Sequence, residues 1–384
     1  MGRHRTTEPV RRGVSGRVWI ALLALIVVII LVVVWVILGK RIDNQGDAAA
    51  RECVSGDSTV TIVTDVSLAS PLNAIAQSFN QTHPVVRDHC ITVSIRPIDP
   101  QTALQELASG WDEASMGPFP SAWIPASSVW SSRLTAAAPT VVDGAPESLV
   151  TSPVVLAMRG EDAAAAAGRI SWADLPALQS DRAALRRVGM TGRSSLGLAM
   201  PAGAGTDATV LAAEGIAAGV TGTRAPLTRT DATRATPGVR TVLERAPTVA
   251  DGTTSSAVLA VGRRAGGEIG AVPVIEQQLF SLTGANTSLD VTEVVPRGAT
   301  PIADFPVIRL SGSQVTDDKA DAIGSFVSFV RTREQMSILT GLGFRGPTPL
   351  PAATRAVGFS AISDPMPTPT TEAAVSLSDL VYPH

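Results

Sequence analysis

From residue 57 onward, short β-branched runs alternate with longer stretches whose apolar positions recur every three or four residues, the pattern of alternating strands and helices. Residues 58–64 (STVTIVT) predict a strand. Ser67-Leu68-Ala69-Ser70-Pro71 opens a helix, with Ser70 as N-cap, Pro71 at the first helical position and Leu72, Ile75, Ala76 and Phe79 as its apolar stripe. Residues 91–98 predict the next strand and 101–109 the next helix, completing a βαβ unit with parallel strands and a right-handed crossover. Further strands are expected at 120–127, 153–159, 196–201, 270–275 and 291–295, and helices at 172–178, 208–218 and 319–333. Residues 221–250 are polar and broken and read as an insertion. Such alternation specifies an α/β fold with sheets covered on both faces.

One segment has no such alternation. Residues 18–38, from Val18 to Leu38, are an unbroken apolar run. As a helix at ~1.5 Å per residue it would reach roughly 30 Å, the thickness of bilayer hydrocarbon. Trp19 and Trp35 lie near its ends, where indoles favour the interface. Arg3, Arg5, Arg11, Arg12 and Arg17 precede the run and only Glu8 opposes them, so the positive-inside rule leaves residues 1–17 as a cytoplasmic basic tail. Residues 39–52 then form a stalk and the bulk of the chain lies outside the cell membrane. A cleaved signal peptide would have a shorter apolar core with a small-residue site close behind it. The expectation is therefore a retained single-pass anchor whose partner is the lipid bilayer.

Charge narrows the partners. Setting aside Glu8 and the seven basic residues up to Arg41 leaves 24 basic against 33 acidic residues. That balance excludes a nucleic-acid partner, because phosphate binding needs a positive field. Cys53 and Cys90 are the only cysteines, and both lie in the outer part. Each stands just ahead of a strand of the βαβ unit, so a disulfide between them is expected in an oxidising compartment. After residue 345 the chain holds seven prolines in 346–384. This Pro-rich tail reads as a linker or a strap along the surface.

The order of several segments resembles bacterial extracellular solute-binding proteins of the type II periplasmic-binding class. PSAWIPASSVW is similar to their aromatic strand followed by serines, although Ser121 stands where the family often has an acidic residue. SPVVLAMR with SWADL resembles the first crossover strand and the helix after it, and EIGAVPVIEQQLF the return strand. VVPRGATPIADFPVIRL and GLGFRG resemble the closing strand pair and the last turn. The likeness spans residues 57–346 and looks closest to the solute-binding-like half of actinobacterial membrane proteins with a following von Willebrand factor A domain. No such metal-binding domain is expected here, the sequence ending at His384. The resemblance implies a two-lobed fold, with lobe one at 53–150 and 272–345 and lobe two at 151–271. It also implies noncovalent capture of a small polar or anionic ligand in an interlobe cleft that closes by a hinge motion. The alternative is a cell-envelope interaction or sensory scaffold, with a protein partner, that has lost solute binding.

Candidate ligand contacts cluster at strand-to-helix turns, where free amides carry partial positive charge. They are Asp65, Ser67 and Ser70 at the first turn and Ser127 and Ser128 at the second. The serines would serve equally as plain helix caps. Gly205, Thr206 and Asp207 belong to GAGTDA, which formally fits a dinucleotide fingerprint but lacks the acidic residue of a second strand. A tight turn with a cap is the first reading and an anion-holding turn the second. Glu276, with Gln277, could line the hinge side of the cleft or simply begin a helix. Asp65-Val66-Ser67 resembles the first metal loop of a von Willebrand factor A domain, yet Ala69 stands where that loop needs a second serine. With His4, His83, His89 and His384 scattered, no metal site, no cofactor and no nucleophile–base pair of an enzyme is expected.

Overall fold

The computed structural model describes residues 23, 25–36, 53–263 and 267–382. Of the apolar run, residues 23 and 25–36 are helical with exposed side chains; the remainder of 18–38, the basic tail and the stalk lie outside the described residues. Among the described residues no helix is long and apolar enough to cross a membrane.

The strands are β1 (Asp57–Thr64), β2 (Val85–Val86), β3 (His89–Pro97), β4 (Ala122–Ile124), β5 (Val142–Ser148), β6 (Ser152–Arg159), β7 (Ala271–Ile275), β8 (Val291–Val294), β9 (Ile302–Ala303) and β10 (Pro306–Leu310). They form two sheets. The first has the order β2-β3-β1-β4-β10-β5; the second is β7-β6-β8, with β9 also pairing β6. β1 pairs in parallel with both β3 and β4. The expected crossover unit is therefore present, its helix being Val66–Gln81. Val60, Ile62 and Val63 of β1 are fully buried, as expected of a central parallel strand covered on both faces. β6 is the central, covered strand of the second sheet, where its pairing is antiparallel and Val154 to Met158 have no exposure.

Cys53 and Cys90 form the expected disulfide, with Cα atoms 5.1 Å apart. Cys90 already lies within β3, opposite Asp57 of β1, so the bridge pins the entry of the first sheet.

Several local expectations change. Val66–Gln81 begins five residues ahead of Pro71, because Asp65 caps it by accepting from the Ser67 amide at 2.8 Å. Ser70 is therefore an exposed residue inside the helix. Residues 196–201 are not a strand; Leu198 makes only an isolated bridge to Ala271. The supposed insertion contains the helix Arg229–Glu244, opened by a reciprocal Thr228/Asp231 capping box and tolerating Pro237. Ala232, Ala235, Val239 and Val242 bury one face of it.

The return to the first sheet also differs. β7 and β8 both belong to the second sheet, so the chain comes back at β9–β10, near residue 304, and not at 272. The buried run of 271–275 suits the edge of either sheet, and only its antiparallel register with β6 decides. The outward and return passages lie side by side, the Leu149 amide donating to the Phe305 carbonyl at 3.1 Å. Phe305 has a left-handed φ of 40°, held by complete burial and by an edge-on contact with Phe344.

The Pro-rich tail is a strap that ends in a helix. Thr354 to Phe359 pack on the second lobe, where the Glu293 amide donates to the Ala356 carbonyl at 2.8 Å. The helix Thr371–Val381 then buries Ala373, Ala374, Leu377 and Val381. It rests on Ser128–Ala137 of the first lobe and on Asp207–Thr221 and Arg229–Glu244 of the second.

Candidate ligand cleft

A cavity of 560 Å³ lies between the lobes. Its walls are strand ends and helix starts. Asp65 and Ser67 stand where β1 passes into Val66–Gln81, and Gly205 and Asp207 where the second lobe's helix Asp207–Thr221 begins. Thr253 and Ser255 flank the start of Thr254–Arg263, and Gln277, Gln278 and Ser281 line it from Glu276–Ala285. Four helix starts thus face one space; at the first the Ser67 amide is held by Asp65, and at the fourth the Gln277 amide is held by the Ser152 hydroxyl. No lysine, arginine or histidine is among the described residues that line it.

Asp207 is the hub. It is 3% exposed, and its Oδ1 accepts from the Ser127 hydroxyl at 2.9 Å and from Trp130 Nε1 at 2.6 Å. Both donors belong to the first lobe, so these bonds cross the cleft floor. Burial pushes the Asp207 carboxyl up to about 7, with the neighbouring Asp65 adding to the rise and the two donors opposing it. Asp65 is raised by burial too, against the opposing pull of the Ser67 hydroxyl and amide. Thr206 donates to the Gly203 carbonyl at 2.6 Å and shares a 2.9 Å hydrogen bond with Tyr382. Tyr382 in turn stacks on Trp130, with ring centroids 5.5 Å apart. Both lobes and the tail therefore meet behind Asp207.

The glycine-rich turn has a steric cause. Gly203 approaches the backbone of Gly252, where an added Cβ would come within 3.0 Å of a carbonyl oxygen, and Gly205 has φ +67°. The turn fits against residues 251–253 and presents Gly205 to the cleft.

Of the residues singled out from sequence, the structure brings Asp65, Ser67, Gly205 and Asp207 to the cavity wall. Ser127 and Thr206 support it from behind. Ser70 lies on the exposed side of its helix, away from the cavity. Ser128 turns elsewhere, its amide donating at 2.7 Å and its hydroxyl also donating to Asp304. Glu276 is 1% exposed beneath Arg345, whose Nε and Nη2 reach its two oxygens at 2.9 and 2.8 Å. Burial raises its carboxyl, and Arg345 opposes the rise. Thr253 and Ser255 went unrecognised. Their signal is Asp251-Gly252-Thr253, a turn ahead of the apolar positions Ala257, Val258 and Val261. Among the described residues no group of three or more His, Cys, Asp or Glu is placed to hold a metal ion.

Residues 60–345 match the family model of the bacterial extracellular solute-binding protein. Uncharacterized proteins of Mycobacterium tuberculosis strains H37Rv and CDC 1551 are each 33% identical over 366 residues, covering 94% of this chain and 53% of theirs. The chain thus spans about half the length of the curated relatives it matches. Among solved structures, iron-bound HitA of Pseudomonas aeruginosa superposes with a TM-score of 0.57 at 16% identity, covering 84% of this chain and 98% of HitA. The Trichodesmium protein solved with iron and citrate gives 0.57 at 10% identity, covering 85% and 98%. The ferric binding protein of Campylobacter jejuni gives 0.54 at 14%, covering 84% and 97%. At such identities these structures share the fold, the two-lobed α/β architecture of type II periplasmic binding proteins, and by its sequence this chain belongs to the bacterial extracellular solute-binding protein family.

Proposed function

We propose that the chain is a membrane-anchored, extracytoplasmic solute-binding protein that captures a small polar or anionic ligand noncovalently in the interlobe cleft. The observation that carries this reading is the cavity of 560 Å³ with four helix starts and a ring of hydroxyl and amide side chains around it. That volume suits a molecule of sugar or amino-acid size. Ser255 and the Gln278 side-chain amide donate to acceptor oxygens of the ligand, while Asp65, oriented by the Ser67 hydroxyl and amide, accepts. Asp207, whose carboxyl rises to about 7, adds an acceptor when ionised and a donor when protonated. A ligand carrying both donors and acceptors therefore fits better than a bare polyanion, which would meet two carboxylates and no cationic side chain. Anchoring through residues 18–38, with the bilayer as partner, follows from the apolar run and its arginine-rich flank. The Cys53–Cys90 bridge agrees with an oxidising location.

Thermal unfolding of the detergent-purified chain against a panel of amino acids, sugars and oxyanions tests the reading. A true ligand stabilises by about 2.7 kcal/mol at a hundredfold excess over its Kd. Ser255→Ala and Ser67→Ala should weaken that response without changing the fold. A panel with no responder, or a response indifferent to both substitutions, overturns it. One observation favours the second reading, an envelope interaction or sensory scaffold that has lost solute binding: the C-terminal helix rests on both lobes and opposes hinge opening. Under that reading an envelope protein, and no solute, would move the melting point.

A further inference from the structure

A second cavity, of 230 Å³, lies where both lobes and the C-terminal strap meet. It shares no lining residue with the cleft. Ser128 reaches it from the first lobe, Glu214 from Asp207–Thr221, Asp304 from the return passage and Met366 from the strap. Glu214 lies about two turns, roughly 10 Å, along its helix from Asp207.

Glu214 is the anomaly. It is 1% exposed, and its Oε1 has no hydrogen-bond partner. A carboxylate in that position has given up its hydration for nothing. The charge that acts on it is another carboxylate, Asp304, which is already engaged by the Ser128 amide and hydroxyl. Burial, reinforced by Asp304, pushes the Glu214 carboxyl up to about 8. With both carboxyls ionised the space holds two negative charges, and no lysine, arginine or histidine is among the described residues that line it. Leu211, Ile302 and Met366 form much of the remaining wall. Only two carboxyls face the space, and among the described residues no group of three or more His, Cys, Asp or Glu is placed to hold a metal ion.

We propose that this cavity binds a small organic ammonium, whose N–H groups donate to Glu214 Oε1 and to Asp304 and whose carbons lie against Leu211, Ile302 and Met366. Bound there, it would join the two lobes and the strap at one point, remote from the solute cleft. The site stands whether or not the cleft binds a solute.

The test is a titration of the purified full-length chain with n-propylammonium chloride, at a pH where Glu214 is ionised, followed by thermal unfolding and calorimetry. Sodium chloride at equal ionic strength and n-propanol are the matched controls. The melting point should rise saturably with the ammonium and with neither control. Glu214→Gln should weaken binding by about tenfold or more, the loss of one charge-assisted hydrogen bond. Ala374→Leu, which fills the cavity from the C-terminal helix and leaves both carboxylates in place, should do the same and carries the test where Glu214→Gln fails to fold. Ser70→Ala, on the exposed side of its helix and away from both cavities, should leave the response intact. A response equal to that of sodium chloride overturns the proposal, as does one that survives both cavity variants. Loss in Asp207→Asn alone would move the amine to the cleft. Saturation by calcium without any ammonium response would make the cavity a metal site, and both results sink the proposal as stated.

Discussion

Replacing Asp207 by asparagine should stabilise the protein, and only on the alkaline side. The carboxyl is buried, and its Oδ1 takes the Ser127 hydroxyl and Trp130 indole hydrogen bonds, which an amide oxygen can accept equally well. What the substitution removes is the cost of a buried negative charge beside Asp65. The folded carboxyl titrates near 7, against an ordinary value of 3.8. Below 3.8 both folded and unfolded chains hold the proton, and this residue costs nothing. As pH rises from 3.8 to 7 the unfolded chain releases its proton while the folded chain keeps it, so stability falls steadily across that window. At 1.36 kcal/mol per pH unit the whole fall is roughly 4 kcal/mol, and above it the penalty stays constant. Asp207→Asn should therefore match the wild type in acid and exceed it by up to roughly 4 kcal/mol once Asp207 would be ionised. Urea denaturation of both proteins across this range, read by tryptophan fluorescence, measures the difference. A variant less stable than wild type on the alkaline side, or an offset that does not change with pH, would refute the account of Asp207 as a strained acid.

Two further outcomes follow from the same geometry. Reduction of Cys53–Cys90, which closes a loop with a sequence separation of 37, should lower stability by about 4 kcal/mol in the chain-entropy account, measurable by urea denaturation with and without reductant. Glu276→Gln leaves the Arg345 guanidinium without its carboxylate and should cost roughly 3 kcal/mol. The same variant should bind a cleft ligand normally, because Glu276 lies beneath Arg345 and not on the cavity wall; a ligand affinity that fell with it would reassign this residue to the site.

Local patterning made the first sheet readable. Alternation in β1, a helical stripe through Phe79 and a cysteine near each strand are signals within a few residues of one another, and they gave parallel pairing and the disulfide together. The assignment of 271–294 to a lobe was not readable in that way. Val272 and Val274 are wholly buried and so have no alternation, and pairing with β6 is a contact across more than a hundred residues. The tail misled for a different reason. Its prolines set the local composition, while the apolar positions Ala373, Ala374, Leu377 and Val381 that make its helix sit beyond the last of them before Tyr382. At the cleft, Asp65 and Asp207 were visible as turn residues, but that one carboxylate would take two donors from the opposite lobe is a product of tertiary packing alone.

The strap changes what a hinge can do here. In a two-lobed protein joined by two passages, closure needs only that a few residues near 150 and 304 absorb the rotation. In this chain a third connection crosses the same gap, since Thr371–Val381 packs on Ser128–Ala137 and on two helices of the other lobe. Tyr382 then stacks on Trp130 of one lobe and bonds Thr206 of the other. Wide opening would have to break that stack, expose Asp207 and part it from Ser127 and Trp130. The same rotation would pull apart the walls of the rear cavity, because Glu214 and Ser128 come from opposite lobes. Front cleft and rear cavity thus share one helix, Asp207–Thr221, which carries a buried acid toward each, so an opening that displaces this helix from the first lobe would disturb both at once.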